Sequence, residues 1–67
     1  SKYIGQFKYG LKHYNGREIL THEVYEGNFE GGRRKGEGIR YTPTSTERGV
    51  FDDTLVEGEI MSLDGKI

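Results

Sequence analysis

The side chains in this 67-residue chain that could do chemistry near neutral pH are few, and the two histidines, His13 and His22, come first. Imidazole changes charge between about pH 5 and 8, which suits proton transfer or metal ligation. The two stand nine residues apart, and the chain has no cysteine to complete a metal set. Solvent-facing turn residues are the better reading of both. Asp52-Asp53 with Glu57 and Glu59 could in principle hold a divalent ion. A calcium loop needs more oxygens at tighter spacing, so a solvated acidic edge that discourages strand-edge aggregation is the better reading. The chain has no Gly-x-Ser-x-Gly, His-Glu-x-x-His or P-loop pattern. No catalytic residue is therefore assigned, and no enzyme activity, metal, cofactor or small-molecule substrate is expected.

Gly31-Gly32-Arg33-Arg34-Lys35-Gly36 offers a different chemistry. Three cations on a glycine turn could grip phosphate or anionic lipid headgroups at about 1 kcal/mol per charge. Three alone anchor weakly, and Glu30 and Glu37 flank them. A hairpin tip kept soluble by charge is the better reading, with anionic-lipid contact through Arg33, Arg34 and Lys35 as the alternative. The segment also looks like an arginine-glycine nucleic-acid tract. It occurs once, however, in a chain of pI near 6.1, so no nucleic-acid partner is expected.

The elements that must carry these residues follow from an internal repeat. All three phenylalanines, Phe7, Phe29 and Phe51, are spaced by 22 residues, each with a glycine two positions earlier: Gly5, Gly27 and Gly49. Tyr3 and Tyr25 stand four before their Phe, Gly10 and Gly32 three after it, and Gly16 and Gly38 nine after it. Gly36 and Gly58 share a further column. Three repeats result, at about residues 3–24, 25–46 and 47–67 of one array. The third is worn, with Glu47 in the tyrosine column, Thr54 in the turn-glycine column and Ile60 in the last glycine column. A worn last copy suits the cap of a stack.

Inside each copy the period is two, which predicts strands: Tyr25, Gly27 and Phe29 on one side, Glu26 and Asn28 on the other. Glycine turns at Tyr9-Gly10-Leu11-Lys12 and Gly31-Gly32-Arg33-Arg34 fold each copy into a β-hairpin. Joints fall near His22 to Val24 and at Thr42 to Thr46, around the one proline, Pro43. Asp64-Gly65 predicts the start of another hairpin. A glycine inside a strand weakens it. Its recurrence makes sense if rings from neighbouring strands lie across the bare backbone, as aromatic rescue does. The candidate lids are Tyr3, Phe7, Tyr25, Phe29, Tyr41 and Phe51.

Tyr25-Glu26-Gly27-Asn28-Phe29-Glu30-Gly31-Gly32, continuing to Gly36-Glu37-Gly38, resembles the MORN repeat: Tyr, any residue, Gly, any residue, Phe or Trp, a glycine turn, then Gly-x-Gly. The first copy is similar from Tyr3 to Gly10 and departs at Tyr14, while the third keeps Gly49, Phe51 and Gly58. The resemblance implies an all-β, elongated, single-layer antiparallel sheet of about three hairpins. It also implies attachment to proteins or, as an alternative, to phospholipid membranes, in settings that include cytoskeletal and ciliary assemblies and lipid-modifying enzymes.

Composition agrees with a chain that needs company. Only 31% of residues are hydrophobic and none is Trp. Burial at roughly 25 cal/mol per Å² against about 1.5 kcal/mol per ordered residue leaves a chain this small near zero. With no cysteine, disulfides are excluded and association is the remaining help. A net charge of -1 gives no global pull toward nucleic acid or anionic membrane. Its halves are uneven, with eight Lys/Arg against five Asp/Glu in residues 1–40, and two against six in 41–67. The chain begins at Ser1, as a processed or excised piece would, and has no apolar run of the roughly 20 residues a spanning helix needs. Neither asparagine has a glycosylation sequon, so an intracellular, soluble setting is favoured. The expected partner is another protein or larger complex, bound through the aromatic face. Gly5, Gly10, Gly27, Gly32, Gly36, Gly38 and Gly49 are expected to be structural.

Overall fold

The computed structural model describes residues 1–62, so the expected Asp64-Gly65 turn lies outside the described residues. Six strands follow one another: β1 (Lys2–Lys8), β2 (Leu11–Ile19), β3 (Val24–Glu30), β4 (Arg33–Tyr41), β5 (Ser45–Asp52) and β6 (Thr54–Ser62). Each pairs antiparallel with its neighbour in sequence, giving one open sheet in the order β1 to β6. The protein measures 42 × 24 × 13 Å. Two packed sheets lie about 10 Å apart before their outer side chains are added, so 13 Å is the thickness of one layer. The all-β, single-layer meander of three hairpins is the architecture that the repeat implies.

The first two hairpins turn on Tyr9-Gly10 and Gly31-Gly32, all four residues with φ between 54° and 89°. Positive φ at both centres matches the twist of the flanking strands, and glycine reaches it at no steric cost. The third hairpin turns on Asp53 alone, at φ 67°. Turn tips also bond back to the preceding hairpin: the Gly32 amide donates to the Lys12 carbonyl and the Asp53 amide to the Arg34 carbonyl, both at 2.9 Å. Tyr14 holds φ 60° where the second hairpin has Gly36 at φ 101°. A tyrosine enters that region at a cost of about 1–2 kcal/mol, and this is the departure of the first copy from the repeat.

The register corrects one column. By spacing, Gly58 aligns with Gly36. By pairing, Gly5 faces Gly16, Gly27 faces Gly38 and Gly49 faces Gly58, so Gly58 is the counterpart of Gly16 and Gly38. The cause is a change of bulge. From Gly27 to Phe29 the partner runs from Gly38 to Arg34, whereas from Gly49 to Phe51 it runs from Gly58 only to Leu55. The bulge and the turn of the third hairpin are each one residue shorter.

Candidate interaction surface

On one face of the sheet Phe7, Tyr3, Phe29, Tyr25 and Phe51 follow one another edge to face. Their successive centroids lie 5.0, 5.2, 5.1 and 5.0 Å apart, at interplanar angles of 76° to 87°. Each such contact adds about 0.5–1.5 kcal/mol beyond the area it buries. Each tyrosine lies across the glycine pair of its own hairpin. A Cβ added at Gly16 would sit 2.6 Å from Tyr3 Cζ, and one at Gly38 2.5 Å from Tyr25 Cζ. The hydroxyls then reach past the glycines and donate to the carbonyls of Gln6 (2.7 Å) and Asn28 (3.0 Å). The lid is thus the tyrosine of the same hairpin, and the neighbouring hairpin contributes the phenylalanine that meets its edge. In the third hairpin Glu47 stands at the tyrosine position, and the ladder stops at Phe51.

Five of the six aromatic residues expected on this face are therefore brought together, with unequal access. Tyr25, Phe29 and Phe51 are 0%, 3% and 1% exposed and form the core, whereas Phe7 at the β1 end is 59% exposed. Tyr41 is elsewhere. It pairs with Val24 and Thr46, one residue out of phase with the pair Tyr25 and Arg40, and so points to the opposite face. There it lines a shallow groove with Ile39, Thr46, Arg48, Glu59 and Met61.

A row of alternating charge runs beside the ladder. Lys12 Nζ lies 2.6 Å from Glu18, Arg34 Nε 3.1 Å from the same carboxylate, and Arg34 also reaches Glu23 at 3.6 Å. Arg40 joins Glu23 and Glu47, both at 2.8 Å. Arg34 lies over the Tyr25 ring, 4.9 Å from its centroid, and Lys12 over Tyr3 at 5.5 Å. The roof of each tyrosine is a cation whose charge is balanced by carboxylates, Glu18 of β2 for both and Glu23 of the β2–β3 connection for Arg34. No short motif marks this row, but a periodic signal does: Lys12 and Arg34 each stand nine residues after the tyrosine they cover.

The row changes the reading of the basic segment. Arg33, Arg34 and Lys35 are consecutive in β4 and so cannot share a face. Arg34 is 13% exposed and held by Glu18 and Glu23, while Arg33 pairs with Asp52 and Asp53 (2.9 and 3.2 Å) and Lys35 with Asp52 (3.4 Å). The acidic pair neutralises the preceding hairpin's tip rather than standing as a free edge. His13 is also no turn residue: it sits in β2, half-buried, its Nδ1 accepting from the Gly31 amide at 3.3 Å, while His22 is exposed between β2 and β3. Among the described residues no group of three or more His, Cys, Asp or Glu could hold a metal ion.

Burial pushes the Glu18 carboxyl up, but hydrogen bonds and charges from Lys12 and Arg34 outweigh it and leave the group below the ordinary carboxylate value. Glu23 is lowered chiefly by its hydrogen bond from Arg40, against some burial. Both carboxyls bind protons less readily folded than unfolded. Their stabilisation is therefore present above the unfolded carboxylate value of about 4.3 and lost as pH falls through the lowered folded values. The melting temperature should be level from pH 7 to about 5 and fall below that. Glu18→Gln should start lower at pH 7 and fall less steeply, which thermal melts at each pH will read.

A family model described as MORN repeat matches residues 3–18 and 25–47, which together make up more than half of the chain. No curated protein and no solved structure matches it. The matched segments hold both tyrosine lids, the two glycine pairs those tyrosines cover and both roofing cations. The chain belongs to the MORN repeat family, non-catalytic repeat modules generally involved in protein–protein or membrane–lipid interactions.

Proposed function

We propose that this chain is a non-catalytic interaction module that docks another protein into a larger assembly, on surface that the aromatic ladder shapes and leaves open. How the apolar residues divide is the observation that supports this reading most. Three large hydrophobic residues are buried among the described residues and eleven are exposed. A single layer has nothing of its own to cover both faces, and contiguous apolar surface marks interaction sites. Tyr25, Phe29 and Phe51 serve as the frame. Tyr3 and Phe7 at the open end of the ladder, and Tyr41 with Ile39 and Met61 on the opposite face, are the parts a partner can reach. The lipid alternative loses support because Arg33, Arg34 and Lys35 are all engaged by carboxylates.

The immobilised chain should retain a defined set of proteins from an extract of its native source. A Tyr41→Ser, Met61→Ser variant that melts with the wild type should retain roughly tenfold less, since a few apolar anchors carry most of an interface. Equal retention by that variant would overturn the reading. So would binding that tracks anionic vesicles and falls on Arg33→Ala, Lys35→Ala.

A further inference from the structure

We propose that the two outer strands of this sheet are complementary, so that β6 of one copy adds to β1 of the next and the chain assembles head to tail. The proposal rests on the reading of the chain as an interaction module and names the partner as a second copy.

Within the sheet of described residues β1 pairs only with β2 and β6 only with β5. The joints between successive hairpins obey one rule: the second glycine of a hairpin faces the first glycine of the next, Gly16 on Gly27 and Gly38 on Gly49. Applied to β6 and a second copy's β1, the rule sets Gly58 on Gly5. Ile60 then lies opposite Tyr3 and Val56 opposite Phe7. These are aliphatic–aromatic cross-strand pairs of the kind that stabilise sheets. Ile60, Val56 and Phe7 are all exposed in the single chain. A depression of about 390 Å³ lies at that end of the ladder face, with Leu55 and Ile60 as its apolar lining and the paired charges of Arg34, Arg40, Glu23 and Glu47, with Asp53 and Thr54, around them. It lies where Glu47 replaces the tyrosine of the repeat, and an incoming Phe7 ring can fill it.

Charge selects this pairing over the alternatives. The β1 strand carries Lys2 and Lys8 and no acid, while β6 carries Glu57 and Glu59 and no base. Head to tail, Glu57 lies diagonal to Lys8 and Glu59 diagonal to Lys2, although Glu59 also touches Arg48 at 3.4 Å. Two β1 strands paired about Gly5 would set Lys2 against Lys8 twice, and two β6 strands paired about Gly58 would set Glu57 against Glu59 twice. Like charges directly opposite destabilise a sheet. Both symmetric dimers are disfavoured, and the joint that remains is heterologous, which adds further copies into an open filament or a ring.

Sedimentation velocity on the whole chain tests this. The sedimentation coefficient should rise with protein concentration through a series of oligomers, and the rise should shrink in high salt. Lys2→Glu, Lys8→Glu and, separately, Glu57→Lys, Glu59→Lys should each weaken association roughly tenfold or more, because two attractive diagonals become repulsive. An equimolar mixture of the two variants restores opposite charge at every joint and should associate again. All four residues are exposed, and circular dichroism will verify that both variants fold. A wild type that stays monomeric across the range, a closed dimer, or a mixture that fails to associate although each variant is folded would overturn the proposal. Retention of other proteins that depends on Tyr41 and Met61 survives any of those results, so failure here is distinguishable from failure of the module reading.

Discussion

Gly38→Ala is expected to remove about 3–5 kcal/mol of stability, most of what a chain of this length holds. The new Cβ would fall inside the Tyr25 ring, 2.5 Å from Cζ and 2.7 Å from Cε1. That ring has nowhere to go. It is fully buried, caught between the edges of Phe29 and Phe51, tied through its hydroxyl to Asn28 and roofed by Arg34. Either the strands separate or the ring swings out, and expelling it costs what truncating a buried aromatic costs, about 3–5 kcal/mol. A 67-residue domain holds only about 3–10 kcal/mol in total. Gly10→Ala makes the comparison. A Cβ there meets nothing within 4 Å, so the cost is confined to the strain of φ 77°, about 1–2 kcal/mol. Urea titration followed by tyrosine fluorescence should rank Gly38→Ala far below Gly10→Ala. Equal midpoints would mean that the tyrosine lid does not fix the glycine position.

The parts of this fold that sequence discloses are those governed by local chemistry at a fixed period. The repeat of Phe7, Phe29 and Phe51 locates the three hairpins, alternation makes them strands, and Tyr9-Gly10 and Gly31-Gly32 mark two of the turns. What spacing cannot disclose is where a bulge spends a residue. Gly58 falls in the column of Gly36 by count and in that of Gly38 by pairing, because the third hairpin shortens both its bulge and its turn. Shared faces are a second blind spot, though a partly avoidable one. Arg33, Arg34 and Lys35 read as one patch because they are adjacent, yet alternation already requires Arg34 to leave the other two. Tyr41, three residues after Gly38, is excluded from the ladder by the same parity. The carboxylates that hold Arg34 come from Glu18 and Glu23, 16 and 11 residues earlier, and no local pattern links them.

Ladder and charge row together explain how so thin a sheet stands without a second layer. Each tyrosine is enclosed on four sides: glycine backbone beneath, a phenylalanine at either edge and a cation above. The cation can lie there because Glu18, and for Arg34 also Glu23, balances it, so its burial does not leave an unpaired charge. The third hairpin lacks the tyrosine, and Leu55 stands opposite Phe51 where Lys12 and Arg34 stand opposite Phe7 and Phe29. An enclosed ring is therefore not formed a third time, and that end of the sheet keeps its depression and its exposed aliphatic side chains.

The same geometry separates what holds the sheet from what it can offer, and two phenylalanines of one column make the separation measurable. Phe29 is 3% exposed and touches the rings of both Tyr3 and Tyr25, so Phe29→Ala breaks the ladder at its middle. Removing a buried ring costs about 3–5 kcal/mol, and each kcal/mol is worth about 4–8 °C in a domain this small. The variant should be unfolded or nearly so at 25 °C, and any loss of binding it shows reports on folding. Phe7 occupies the same repeat position but is 59% exposed and touches only Tyr3 among the ladder rings. Phe7→Ala should lower the melting point by only a few degrees while leaving the depression on the preceding copy unfilled. Calorimetry of the two variants beside sedimentation of Phe7→Ala decides the matter. If Phe7→Ala destabilises the chain as much as Phe29→Ala does, the β1 end belongs to the core and cannot serve as a contact. If Phe29→Ala melts with the wild type, ring-to-ring packing does not hold this sheet together, and the division into frame and contact surface fails with it.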